Sequence, residues 1–126
     1  MGSSISFETF QEARERMQNI NPSVFISQNP PDKMRNFAEH TIGIVTAILE
    51  NNRCLDEPFR KVLEEEAINL RRHIETIQTE SPDSGYFRKA AAAILRIGMA
   101  VDFLIYCPLC QLIIPEEARL TCTQTA

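Results

Sequence analysis

Residues 90–114 most constrain what this chain can fold into. Their apolar side chains, at 90–95, Ile97, 99–101 and 103–105, go round every side of a helix. Such a helix needs neighbours to take it out of water, so the rest of the chain must surround it. Arg96, Asp102 and Gln111 interrupt the stretch, and Pro108 would break it. The longest charge-free part, residues 103–114, has only 12 residues, whereas a membrane span needs about 20 and each central charge is costly. The expectation is a buried central helix over about 84–106, ended by Pro108, which cannot donate to the carbonyl of Leu104.

The preceding sequence supplies its neighbours. Phe7, Phe10, Ala13, Met17 and Ile20 recur at spacings of three and four, with Ser6 as N-cap, which predicts a first helix ending at Asn21-Pro22. Pro22, Pro30 and Pro31 bracket Val24-Phe25-Ile26, an expected extended segment tucking its apolar residues onto the bundle. A second helix begins at Asp32 as N-cap and buries Met34, Phe37, Ala38, Ile42, Val45, Ile48 and Leu49. Gly43, in its middle, costs about 1 kcal/mol relative to Ala and suggests a close approach there. A third helix, capped by Asp56, carries the stripe Phe59, Leu63, Ala67, Leu70, Ile74 and Ile77. Its outer face offers Glu57–Lys61, Arg60–Glu64, Lys61–Glu65 and Arg71–Glu75 as i,i+4 pairs of opposite sign.

The fold class that follows is all-α, a compact bundle of four to five helices with a central apolar helix. The 126 residues, 44% hydrophobic and 24% charged, suit one globular domain. Within this single domain, 1–126, residues 1–5 are expected to form a flexible lead and 121–126 a frayed tail. The net charge of −4 argues against a nucleic-acid partner, which usually meets a basic excess. No secretory signal opens the chain, so Cys54, Cys107, Cys110 and Cys122 read as thiols of a reducing, cytoplasmic compartment rather than a disulfide framework.

Two motifs could carry function. Met1-Gly2-Ser3-Ser4-Ile5-Ser6 fits the acylation pattern M-G-x-x-x-[ST], in which Gly2 takes a myristoyl chain and Ser6 supplies the hydroxyl the transferase reads. One such chain attaches a protein to the cytoplasmic face of a membrane only weakly and reversibly. Cys107-Pro108-Leu109-Cys110 could present two thiolates to zinc, with Cys122 as a third ligand and Cys54, His40 or His73 as a fourth. No second C-x-x-C follows, so two packing cysteines and no cofactor are the expectation. His40 and His73 have no metal-ligand spacing to a Glu and read as partly exposed helix residues.

Ten Arg against three Lys is a marked bias. Arg53, Arg60, Arg71, Arg72 and Arg88 flank the third helix and its following turn. They read as a solvated, salt-bridged face, with a binding face as the sharper alternative. No constellation of nucleophile, base or phosphate loop supports an enzyme. The leading expectation is a non-catalytic interaction protein with a protein partner, possible self-assembly, and reversible membrane attachment through Gly2. The alternative is a soluble regulator that binds protein or nucleic acid through the Arg-bearing helix.

The opening hexapeptide resembles that of retroviral matrix domains, which are also myristoylated, of similar length and built of about five helices. That resemblance implies a viral accessory protein on a membrane, although matrix domains carry a basic face and this chain is acidic. The hexapeptide is also similar to the M-G-x-x-I-S opening of the small symptom-determining proteins of geminiviruses, a likeness covering six residues.

Overall fold

A computed structural model describes residues 2–53, 55 and 57–106, with side chains from Thr9 onward. The described chain is all helical: α1 (Gly2–Arg16), α2 (Ser23–Gln28), α3 (Pro31–Asn51), α4 (Glu57–Thr79) and α5 (Gly85–Tyr106). They pack as five helices in a compact arrangement. The apolar helix expected at the centre is α5, which packs against all four of the others. Its residues Ala90, Ala91, Ile94, Ile97, Ala100, Val101 and Leu104 are buried.

Local chemistry corrects several boundaries. The first helix begins at Gly2 rather than Ser6. The proline-bracketed segment is a short helix, not an extended strap. Asn21 explains this: its Oδ1 accepts the Ser23 N–H at 3.0 Å, turning the chain into α2. The Asn29 amide then donates to the Phe25 carbonyl at 3.0 Å, and Pro30 follows. Phe25 is buried with its ring edge-on to Phe37, centroids 5.8 Å apart, while Val24 faces solvent. At α3 the capping position belongs to Pro30 and the first turn to Pro31, not to Asp32. Pro31 needs no donor there, and Asp32 sits where the helix dipole favours a negative charge.

The close helix approach occurs at Gly98 and not at Gly43. A Cβ at Gly43 would meet nothing within 4 Å, whereas one at Gly98 would collide with the ring tip of Phe37. Small residues on α5 let α3 come near, but its own glycine is a surface position. The four expected i,i+4 ion pairs on α4 do not form among the described residues. The pairs that do form join Arg14 to Glu66, Arg16 to Glu12 and Arg35 to Asp32.

Nor is α5 buried all round. Met99 and Phe103 are each 40% exposed and Tyr106 is 59% exposed. Phe103 was expected in the core. Four helices pack against α5, and the side carrying Met99, Phe103 and Tyr106 reaches solvent. No helix among the described residues is long and apolar enough to cross a membrane.

Candidate functional site

Two features of this bundle carry more chemistry than packing requires, and both involve α5. The first is a polar seam where α1, α4 and α5 meet. On α4, Glu66, Asn69 and His73 succeed one another at spacings of three and four, so they share one side of the helix. Glu66 lies among Leu63, Ala67 and Leu70 of the buried stripe, and its side chain is only 5% exposed.

A buried carboxylate needs a partner, and α1 supplies it. Arg14 Nε lies 3.1 Å from Glu66 Oε2. The two attract as opposite charges, but the N–H is not aimed at the oxygen, and neither atom has an aligned hydrogen bond. Other contacts hold the pair in place. Arg14 Nη1 donates to Gln11 Oε1 at 2.8 Å, its guanidinium lies 5.7 Å from the centre of the Phe10 ring, and Asn69 Nδ2 donates to Glu66 Oε1 at 3.4 Å. Phe10 in turn packs edge-on to Phe59, centroids 5.6 Å apart.

Beside this pair, Gln11, Arg14 and Glu15 of α1, Gln18 in the turn after it and Arg96 of α5 line a half-open cleft of about 450 Å³. Arg96 also acts on His73. Burial removes water from the His73 imidazole and the Arg96 charge opposes protonation, so its pKa lies below the usual histidine value.

The second feature is the exposed side of α5. Half-buried Ala92 and Leu95 and exposed Met99, Phe103 and Tyr106 recur at spacings of three and four, so they form one strip about 20 Å long, with half-buried Arg96 and Asp102 along its edges. Exposed Arg88 and Lys89 lie at its N-terminal end.

The arginines singled out in the sequence do not gather into one patch. Arg53 is exposed after α3. Arg60 is half-buried and donates to the Asn52 carbonyl at 3.0 Å, which ties α4 to the end of α3. Arg71 and Arg72 are exposed about 18 Å further along α4. Glu64, Glu65 and Glu75 share that outer side, so α4 presents mixed charge rather than a basic face. Arg88 Nη2 donates to Ser23 Oγ at 3.1 Å, joining α5 to α2.

Gly2 is the first residue of α1 and Ser6 lies one turn into it. Cys54, Cys107, Cys110 and Cys122 lie outside the described residues. Among the described residues, no group of three or more His, Cys, Asp or Glu side chains could hold a metal ion. His40 is exposed and His73 half-buried.

Reading the sequence by apolar periodicity missed the seam, although a signal was present. Glu66 is three residues after Leu63 and four before Leu70, and Arg14 is four after Phe10. Both charges therefore fall at or beside the apolar stripes. No family model, no curated protein and no solved structure matches the chain.

Proposed function

We propose that this protein is a non-catalytic interaction module that docks an amphipathic, acidic helix along the exposed strip of α5. The observation that supports this reading is the strip itself. Met99 and Phe103 stay 40% exposed on the same helix that buries more of the core than any other element. Apolar residues at spacings of three and four match one side of a partner helix over three to four turns. Arg88, Lys89 and Arg96 beside the strip outnumber Asp102 and favour a partner with carboxylates along its flank. The mixed charge of α4 favours this surface over an arginine face that binds nucleic acid.

Attachment to the cytoplasmic face of a membrane through acylated Gly2 belongs to the same proposal. The opening Met1-Gly2-Ser3-Ser4-Ile5-Ser6 supports it. No lysine or arginine lies in the first ten residues, so a single acyl chain would give weak, reversible binding. Assembly would strengthen it through avidity.

Isothermal titration with synthetic helical peptides tests the docking. A peptide with leucines at spacings of three and four and glutamates on its flanks should bind wild type. It should lose at least tenfold in affinity to Met99→Lys, and its lysine-flanked counterpart should bind more weakly. Equal binding to wild type and Met99→Lys would sink the reading. Self-association in sedimentation, abolished by Met99→Lys, would instead make a second copy the occupant. For attachment, wild type and Gly2→Ala should partition differently between membranes and cytosol, with the variant wholly soluble; identical partitioning would remove the acyl anchor from the account.

A further inference from the structure

The cleft between α1 and α5 adjoins the docking strip, with Arg96 one turn from Met99, but it is lined by none of the strip's apolar residues. Gln11, Arg14, Glu15 and Gln18 line one wall and Arg96 the other, around roughly 450 Å³, a volume within the range of small-molecule sites. The two arginines differ in how committed they are. Arg14 is held by Gln11 and faces Glu66. Arg96 is half-buried and, among the described residues, has neither an ion pair nor a hydrogen bond. A guanidinium carries a permanent charge and five N–H donors in a fixed fork. The Arg96 nitrogens are not among the buried atoms that lack a partner, so they are open to water, which a ligand carboxylate can replace with two aligned acceptors.

We propose that this cleft binds the carboxylate of a small polar ligand, gripped by the Arg96 fork. Charge favours a carboxylate over a phosphate. The positive charges of Arg14 and Arg96 are matched by Glu15 on the cleft wall and Glu66 behind it. A monoanion leaves one net negative charge in the neighbourhood, and a phosphate dianion leaves two, beside the Glu15 carboxylate. Geometry agrees, because a planar carboxylate takes two parallel N–H bonds from one guanidinium. Gln11, whose Oε1 already accepts from Arg14, can donate through its Nε2 to the rest of the ligand, and the Gln18 amide can donate to it or accept from it. The space exceeds that of one acidic side chain, which favours a whole small molecule over a residue of a partner protein.

His73 provides the readout. Arg96 opposes protonation of His73, so an anion seated on Arg96 should relieve that opposition. Nuclear magnetic resonance can follow the Cε1–H signal of His73 through pH titrations in chloride, acetate and sulfate at matched ionic strength. Arg14, Glu15 and Glu66 are present in every salt, so differences reflect the anion.

In acetate, the His73 midpoint should rise and the Arg96 Nε–H signal should move. Sulfate should do less. Arg96→Gln, at a partly exposed position, should fold normally and abolish the acetate response, and Gln18→Ala should weaken it severalfold. Identical His73 titrations in acetate and chloride would overturn the proposal. So would a response that persists in Arg96→Gln, or a sulfate response as large as that of acetate. A stronger response to a blocked Gly-Asp-Gly peptide would overturn the free-ligand assignment. None of these outcomes depends on Met99, so this site and the docking strip succeed or fail separately.

Discussion

Arg14 and Glu66 face each other across two helices but are not equivalent. The Glu66 side chain is 5% exposed and that of Arg14 is 30% exposed. Arg14→Met would strand a buried carboxylate and should cost about 3 kcal/mol. Glu66→Met leaves a guanidinium that can turn to water and should cost about 1 kcal/mol. The double variant should recover most of the Arg14→Met loss. Denaturant unfolding of the three variants checks this order; equal losses in both single variants would show that the pair is not buried asymmetrically.

The two helical glycines make a similar contrast. Gly43→Ala meets nothing within 4 Å and should stabilise by about 0.5–1 kcal/mol through helix propensity. Gly98→Ala would force the Phe37 ring aside and should destabilise by about 1–3 kcal/mol despite the same propensity gain. Sequence reading marks Gly43 as unusual because it sits mid-helix. It cannot tell which glycine faces a neighbour, since that depends on the register between α3 and α5.

At the scale of elements, periodicity sets out α3, α4 and α5 because long apolar stripes leave little choice of face. It fails for α2, where a six-residue helix depends on one side chain, Asn21, catching the Ser23 N–H. Proline spacing alone reads the same there for a helix and a strap. The exposed side of α5 was also only partly legible. Arg88, Lys89, Arg96 and Asp102 mark that side as polar, but Met99 and Phe103 among them are as apolar as the buried residues, so their exposure is decided by how many neighbours the chain can supply.

This separates two substitutions that the sequence treats alike. Leu70 is fully buried on α4 and Phe103 is 40% exposed on α5. Leu70→Ala should cost about 2–5 kcal/mol, and Phe103→Ala about 1 kcal/mol or less. Thermal melts showing equal losses would return Phe103 to the core and remove the strip.

For the molecule as a whole, the seam makes stability depend on pH in a definite direction. His73 is held below its ordinary value of 6.5 first by burial and then by Arg96. Its contribution to stability is therefore complete above the unfolded-state value. As pH falls below about 6.5, the unfolded chain binds the proton more readily and stability declines towards the lowered folded value. His73→Gln should flatten that part of the stability profile between wild-type pH 7 and pH 5. An unchanged slope would mean that His73 is as solvated in the fold as in the unfolded chain.

The account rests most heavily on one side of α5 being uncovered and available to a partner. Methionine methyl groups provide the direct measurement, because Met34 is fully buried and Met99 is 40% exposed. With methyl-labelled methionine and a soluble paramagnetic relaxation agent, the Met99 methyl should broaden strongly while that of Met34 stays sharp. Adding the glutamate-flanked helical peptide should then protect Met99 and leave Met34 unaffected. A Met99 methyl as protected as Met34 in the isolated protein would contradict the account, because the strip would already be covered.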